Sequence, residues 1–485
     1  MYECDRIRQA VILPMFWALL PCRAALAIDS ETPSGNLSSE RPNIVVVMVD
    51  DMGYGDAGCY GGTAFATPNL DRLAAEGMRF TDFHSNSCVC SPTRAALMTG
   101  RYQQRAGIPG VVYAAPDRNR HHGLQMVERT LPEALADSGY ATGMFGKWHL
   151  GYEEQYNPIH QGFQEYIGYV SGNVDFHTHI DGAGVFDWWK QNQHSREEGY
   201  TTHLITRHAC DFIKTAAATE DNPFFLYVAH EAPHDPYQGP NDKPVRREGE
   251  NKLAYDHREL KHAQRAYAEM MVEMDKGIGE ILSTLKSSNA DENTFVMFFS
   301  DNGATGPGSC GELYGMKGTL WEGGHRVPCM ARWPGRIDAG SSTNQLACTM
   351  DVMPTLLDFA GIDNPTDRPL DGISLTDFLL NNSPQFDRQL FWQYGDAVCM
   401  RSGARKMVIN GGKPSKKKSD RQPNINWNRP NDGRENLAVF DLDDDLAEES
   451  NLAQNLPDIE IEEMKRAIRR WQKDVANGAT QQPKK

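Results

Sequence analysis

The sequence predicts an α/β fold: a large, mostly parallel sheet flanked by helices, with a smaller C-terminal α+β subdomain containing an antiparallel sheet. Three observations lead there. Residues 44–49, 224–228 and 294–299 are continuous apolar runs of strand length, the pattern of parallel strands buried on both faces. Stretches of helical periodicity alternate with them. After about residue 385 the texture changes to short strand-like and helix-like pieces around a basic, Pro- and Asn-rich insert.

In order along the chain, residues 1–27 read as a signal peptide. Arg6 and Arg8 precede the apolar run 10–20, which is too short to span a bilayer, and Ala25-Leu26-Ala27 fits a cleavage site. The expected protein is therefore exported, periplasmic or secreted. Residues 28–41 are a polar linker. The strand 44–49 follows, and then Thr67-Pro68 opens a helix with Thr67 as N-cap and Gly77 as stop. Thr130 and Glu133 are spaced as a capping box for a helix that ends at Gly139. After the strand 224–228, a helix over 260–286 places Met270, Met274, Ile278, Ile281 and Leu285 on one stripe. The strand 294–299 comes next. These elements make a catalytic domain over 42–384. The C-terminal subdomain, 385–480, holds the basic loop 413–429, a strand at 437–442 and a closing helix with Ile461, Met464, Ile468 and Trp471 inward.

Composition removes whole classes of function. The 485 residues correspond to two or three domains at about 150 each, or to one large domain and a small one. A hydrophobic fraction of 40% is enough to bury a core, so general disorder is excluded. A net charge of −16 argues against nucleic acid as a partner. No run after the signal is long and apolar enough to span a membrane. Of ten cysteines, Cys4 and Cys22 leave with the signal. The remainder show no C-x-x-C pair and no zinc spacing, and are too few for a disulfide scaffold.

The chemistry gathers at strand ends. The first strand runs into Asp50-Asp51, the second into His230-Glu231 and then His234, the third into Asp301-Asn302. In open α/β sheets the ligand crevice lies at the carboxyl ends of strands. Two adjacent carboxylates repel without a counter-charge. An oxygen-only set of Asp50, Asp51, Asp301 and Asn302 suits a hard cation such as Ca²⁺ or Mg²⁺. A solvated turn or helix cap is the competing reading for Asp-Asp alone. Cys90-Ser91-Pro92-Thr93-Arg94 sets a cysteine before a Pro-started helix, where the helix dipole favours an anion, so Cys90 reads as a nucleophile with Arg94 near the same anion-binding end.

These motifs resemble the type I sulfatases of the alkaline-phosphatase superfamily. Cys90-Ser91-Pro92-Thr93-Arg94 with the trailing Leu97-Met98-Thr99-Gly100-Arg101 is similar to that family's first signature. Gly139-Tyr140-Ala141-Thr142 through Gly146-Lys147-Trp148-His149-Leu150-Gly151 is similar to its second. Gly315-Met316-Lys317-Gly318 followed by residues 322–328 resembles the downstream lysine segment, and residues 350–355 and 440–442 also fit. The resemblance spans roughly residues 42 to 475.

The resemblance implies an alkaline-phosphatase-like sheet and a sulfuric ester hydrolase. It implies that a formylglycine-generating machinery, a transient partner, oxidises Cys90 to an aldehyde, hydrated to a gem-diol. One hydroxyl attacks sulfur, and the other then expels sulfate. It implies one Ca²⁺ bound by Asp50, Asp51, Asp301, Asn302 and an oxygen of modified Cys90. By the same resemblance Arg94 holds the nucleophile, Lys147 and Lys317 bind sulfate oxygens, His149 is the base for sulfate release, and His234 is the acid at the leaving oxygen. Ser171 is a further hydroxyl contact to substrate.

The expected substrate is a sulfated sugar or glycan, or an aryl sulfate. Trp188 and Trp189 in the segment 171–203 either stack on a sugar ring or anchor a long loop. The resemblance reaches N-acetylgalactosamine sulfatases and arylsulfatases alike. Two alternatives stand beside it: a phosphate mono- or diesterase of the same superfamily, and a non-catalytic carbohydrate-binding relative in which Cys90 is never modified.

Overall fold

The structure is a computed structural model and describes residues 41–483 except 116, 220–221, 251, 382 and 412–436. The expected signal peptide, the linker up to residue 40 and the basic loop 413–429 lie outside the described residues. In chain order the strands are β1 (Asn43–Val49), β2 (Met78–Phe80), β3 (Phe83–His84), β4 (Ala141–Lys147), β5 (Glu165–Tyr169), β6 (Trp189–Lys190), β7 (Gln193–His194), β8 (Phe224–Ala229), β9 (Thr294–Ser300), β10 (Cys329–Arg332), β11 (Ser341–Thr343) and β12 (Ala347–Cys348). β13 (Gln389–Tyr394), β14 (Ala397–Ser402), β15 (Arg405–Ile409) and β16 (Leu437–Asp441) follow. The helices are α1 (Pro68–Ala75), α2 (Cys90–Thr99), α3 (Leu131–Asp137), α4 (Thr201–Ala217), α5 (Leu260–Ser287), α6 (Glu322–His325), α7 (Val352–Ala360), α8 (Thr376–Asn381) and α9 (Asp458–Ala476).

The large sheet runs β11-β2-β10-β9-β1-β8-β4-β5-β6-β7. Its centre, β9-β1-β8-β4-β5, is parallel throughout. The flanks are mixed, with β10, β6 and β7 antiparallel to their neighbours. Period-two alternation along β1 feeds two cores. Val45, Val47 and Val49 pack with α1, α4 and α5, whereas Ile44, Val46 and Met48 pack with α2, α3 and α7. Both faces are covered, as parallel strands require.

Two caps behave differently. The Thr130–Glu133 capping box forms: Glu133 Oε2 accepts from Thr130 N at 2.8 Å and Thr130 Oγ1 from Glu133 N at 3.3 Å. Thr67 does not cap α1. Its hydroxyl accepts from Gly58 N at 2.8 Å, and the carboxylate of Asp275 on α5 takes Asn69 N and Leu70 N instead. A cap supplied across the core satisfies the same orphan donors and also ties α1 to α5.

β13-β14-β15-β16 form a separate antiparallel sheet on which α9 packs through Ile461, Met464, Ile468 and Trp471. The same cluster takes in Cys88, Val89 and Ala96 around the start of α2, and Trp321. Among the described residues all eight cysteines are free thiols, and no helix is long and apolar enough to cross a membrane.

Candidate active site

Sheet register brings the polar strand ends together. Val49 lies opposite Ser300, and Ala229 lies opposite both Met48 and Gly146. Asp50, Asp301, His230 and Lys147 therefore leave adjacent strands at one level. Asp51 sits in the left-handed region at φ 66° and His149 at φ 58°. Non-glycine residues held there mark backbone that the surrounding fold over-determines.

Cys90 is the first residue of α2 and is buried. The rest of the motif builds its socket. Thr93 Oγ1 accepts from Ser87 N at 3.1 Å, which fixes the approach to the helix, and Ser91 Oγ accepts from Val112 N at 3.2 Å. Ligand atoms of Cys90, Asp50, Asp51 and His234 all lie within 4.8 Å of one another. Arg94 grips Asp301 Oδ2 with Nη2 at 2.8 Å and Nε at 3.1 Å, while its Nη1 donates to Lys147 O at 2.9 Å.

Asn302 Nδ2 donates to Asp51 Oδ1 at 2.7 Å, which leaves Asn302 Oδ1 buried without a hydrogen-bond partner; Asp50 Oδ1 is likewise unpartnered. Two orphaned acceptors beside the carboxylates of Asp51 and Asp301 form an all-oxygen donor set. That set fits a hard divalent cation, because acceptor-only oxygens in a dry site need a positive partner.

Lysines crowd the same carboxylates. Lys147 Nζ contacts Asp50 Oδ2, and Lys317 Nζ lies 2.5 Å from Asp51 Oδ1. Burial works against both ammoniums, but the surrounding negative groups, led by Asp50 for Lys147 and Asp51 for Lys317, together outweigh it and keep them charged. Burial alone would push the Asp50 carboxyl up; Lys147, His234 and Arg94 together hold it far below the usual range. Asp301 is pushed up by burial and by the neighbouring Asp50 charge.

The two histidines are held differently. His149 Nε2 sits 3.0 Å from Val112 O, and Nδ1 is buried without a hydrogen-bond partner. Burial, with Lys147 and Arg94 adding to it, drives its pKa well below the ordinary value, so the ring is neutral. A neutral ring bonded to a carbonyl through Nε2 carries its proton there and keeps a lone pair on Nδ1. His234 Nδ1 meets the Asp235 carbonyl at 2.5 Å, leaving Nε2 3.6 Å from Asp51 Oδ2. Burial opposes its charged form, but the carboxylates of Asp51 and Asp50 together outweigh that and raise His234 to about 9. Ser171 Oγ donates to Asn173 O at 3.0 Å. Cys90, His149, Ser171, His234 and Lys317 line one cavity of about 240 Å³, together with Val112, Tyr113 and Tyr152.

Residues 42–362 match the Sulfatase family model, and residues 313–474 match the model described as N-sulphoglucosamine sulphohydrolase, C-terminal. The chain belongs to the sulfatase family. This sulfatase is 38% identical over 388 residues to N-acetylgalactosamine-6-sulfatase of Canis lupus familiaris, covering 74% of this chain and 69% of the relative. It is 31% identical over 466 residues to arylsulfatase G of the same species, covering 86% and 82%. The crystal structure of Ps i-CgsB in complex with k-i-k-neocarrahexaose superposes with a TM-score of 0.76 at 26% identity, covering 92% of this chain and 95% of that one. The chemistry of the family is hydrolysis of sulfate esters, and the sulfatase is an enzyme.

Several supporting groups of the sulfatase carry little or no signal in its sequence. The Val112 carbonyl that holds His149 is backbone and carries no residue signal. Asp187 accepts from Ser171 N at 2.8 Å and from Val170 N at 3.2 Å, sixteen and seventeen positions away in the chain. Glu231 is buried, accepts from Val174 N at 2.7 Å, and is pushed up to about 8 by burial. Its place at a strand end was the available signal. Trp188 is a loop anchor rather than a sugar platform: it is fully buried, stacks on His179 and bonds Glu197 Oε2 through Nε1 at 3.0 Å.

Proposed function

We propose that this sulfatase removes sulfate from a sulfated carbohydrate, using a nucleophile made from Cys90 beside a Ca²⁺ bound by Asp50, Asp51, Asp301 and Asn302. The observation that carries this reading is the convergence of Cys90, both histidines and Lys317 on one cavity, with the carboxylates of Asp50 and Asp51 beside Cys90 and His234. The names of the relatives, N-acetylgalactosamine-6-sulfatase and N-sulphoglucosamine sulphohydrolase, support a sugar as the group that carries the sulfate.

When bound, Ca²⁺ supplies Lewis-acid stabilisation of a sulfuryl group and of an oxygen nucleophile. Formylglycine at position 90 supplies a hydrated aldehyde, in which one hydroxyl attacks and the other provides for release. The remaining steps belong to side chains of this chain. Arg94, locked by Asp301 and the Lys147 carbonyl, presents a fixed guanidinium behind position 90. Lys147 and Lys317 neutralise sulfate oxygens, and charge placed in advance costs no reorganisation during reaction. His149 Nδ1 takes the proton that must leave for sulfate release. His234, anchored through Nδ1, gives its Nε2 proton to the departing sugar oxygen. Ser171 contacts the substrate hydroxyl edge.

The test is a hydrolysis screen against sulfated mono- and oligosaccharides beside an aryl sulfate, with Cys90→Ala as control. The screen should find a hydrolysed sulfated sugar, and the variant should fold and lose turnover. The peptide containing Cys90, from protein made in its natural host, should have exchanged sulfur for oxygen and lost two hydrogens. An intact thiol, or a Cys90→Ala enzyme as active as the parent, refutes the mechanism.

A further inference from the structure

The chain carries a net charge of −16, yet residues 118–122 read Arg118-Asn119-Arg120-His121-His122. The fold sets this basic run against the mouth of the catalytic cavity. Tyr113, Ala114 and Tyr152 line that cavity. The Arg118 guanidinium carbon lies 3.2 Å from the centre of the Tyr113 ring, and that of Arg120 lies 4.7 Å from the centre of the Tyr152 ring. Arg120 Nη1 also donates to Ala114 O at 2.8 Å.

The segment is pinned to the cavity wall. Asn119 Oδ1 accepts from Tyr113 N at 3.0 Å and Asn119 Nδ2 donates to Val111 O at 2.9 Å. The same stretch of wall supplies the Val112 carbonyl that holds His149. The two guanidiniums thus keep a fixed position relative to the reacting groups. Among the described residues neither is ion-paired: Asp181 feels the field of Arg120 without bonding to it. Arg118 is exposed and Arg120 half-buried. A guanidinium stacked on a ring can still offer its donors to a carboxylate or sulfate; Arg120 commits Nη1 to Ala114 O and keeps its other donors for an anion.

The cavity itself, at about 240 Å³, is smaller than the roughly 300–1,000 Å³ that encloses a drug-sized ligand. It has room for one sulfated ring, so the neighbouring sugar of a longer substrate must cross the rim. We propose that Arg118 and Arg120 form an anion subsite at the cavity mouth, which receives a carboxylate or sulfate on the sugar next to the one that loses its sulfate. The preferred substrate is then a polyanionic glycan. This inference rests on the reading of the cavity as a sulfate ester site.

The experiment compares three disaccharides that share one scissile sulfate: one with a neutral neighbouring sugar, one with a uronic acid, and one with a second sulfate. The parent enzyme should favour at least one anionic neighbour over the neutral one in kcat/KM by about tenfold, the scale of one charge-assisted contact. High salt should erode that preference. Arg118→Gln and Arg120→Gln should each cut it by about threefold or more, and the double variant should bring the ratio close to one. Arg120→Lys, which keeps the charge, should retain part of it. The arm that is favoured tells carboxylate from sulfate. Hydrolysis of all three at equal efficiency, or a preference that survives in the double variant, overturns the subsite alone. Inactivity of the parent towards these and every other sulfate ester overturns the hydrolase reading, and the subsite with it.

Discussion

The carbonyl of Val112 holds His149 through Nε2 at 3.0 Å, and Gly172 lies close against the Nε2–Cε1 edge of that ring. A methyl group at position 172 would stand 2.8 Å from His149 Nε2 and 2.9 Å from Cε1, closer than side-chain carbons approach. The ring has one seat, and in that seat Nδ1 is the nitrogen left for proton transfer. His149→Ala should lower kcat by about 10²–10⁴, the range for loss of a general base, with a smaller effect on KM. Gly172→Ala leaves the imidazole present but displaced. It should lower kcat by about tenfold or more with little loss of thermal stability, since displacements near 1 Å cost this much in rate. Steady-state kinetics beside a melting curve decide it, and a Gly172→Ala enzyme with parental kcat contradicts the role given to ring placement.

Cation removal should be felt in stability as well as in turnover. Asp50 Oδ1 and Asn302 Oδ1 are buried acceptors with no donor, and Asp50, Asp51 and Asp301 sit side by side. Saturating Ca²⁺ at about a hundred times its dissociation constant adds roughly 2.7 kcal/mol to the folded state. Chelation should therefore lower the melting temperature and abolish most activity, and added Ca²⁺ should restore both. Asn302→Ala should need more Ca²⁺ for the same recovery. A melting curve indifferent to chelator would remove Asn302 and the aspartates from the ligand set.

How much of this site was legible in the sequence depends on how each residue is signalled. Asp50, Asp51, Asp301 and Asn302 follow long aliphatic runs, so strand and crevice could be read together. Cys90 and Arg94 lie in a contiguous motif. β4, which delivers Lys147 and His149, carries no strand signal of its own, because Ala141–Lys147 contains two glycines and a lysine and no unbroken aliphatic run. Its strand character comes from pairing with β8 and β5 on both sides. The Thr67 cap failed for the opposite reason: the local signal was present, but Asp275, about 200 positions on, took the helix amides instead. Groups that act through tertiary contact, such as Asp187 on Ser171, leave no local pattern to read.

Glu231 makes stability fall with rising pH. Burial raises its carboxyl from the ordinary 4.5 to about 8. A proton is then held in the folded chain and lost from the unfolded one between those values. The stabilisation is complete below about pH 4.5 and disappears as pH climbs through 8, a span worth on the order of 4–5 kcal/mol at about 1.4 per unit. Glu231→Gln keeps an oxygen for Val174 N and cannot ionise. The variant should match the parent near pH 5 and exceed it in denaturant midpoint at pH 8. Parallel midpoint curves for the two proteins would show that Glu231 is already ionised in the fold.

Lys406 fastens the C-terminal sheet to the segment that carries Lys317. From β15 its Nζ lies 2.8 Å from Glu322 Oε1 and 2.9 Å from Glu448 Oε1, and all three residues are fully buried. Glu322 opens α6, five residues after Lys317, and its backbone N–H donates to Glu448 Oε2 at 2.7 Å. Burial raises Glu448 to about 7 against the pull of Lys406, whereas at Glu322 Lys406 and Arg401, with the neighbouring histidines, together overcome burial and hold that carboxyl well below the usual range. Lys406→Met fills the same space but leaves Glu448 without its cation, while Glu322 keeps Arg326 Nη1 at 3.2 Å and Arg401 Nη1 at 3.7 Å; removing one partner of a buried pair costs about 3–5 kcal/mol. Acid should relieve part of that loss, because the stranded Glu448 carboxyl can then take a proton and cease to be a buried charge. The variant should therefore melt well below the parent at pH 8 and lie closer to it at pH 5. Equal melting temperatures at pH 8 would mean that Glu448 finds another partner, and that the Lys406 contacts add nothing to the apolar packing around Trp321.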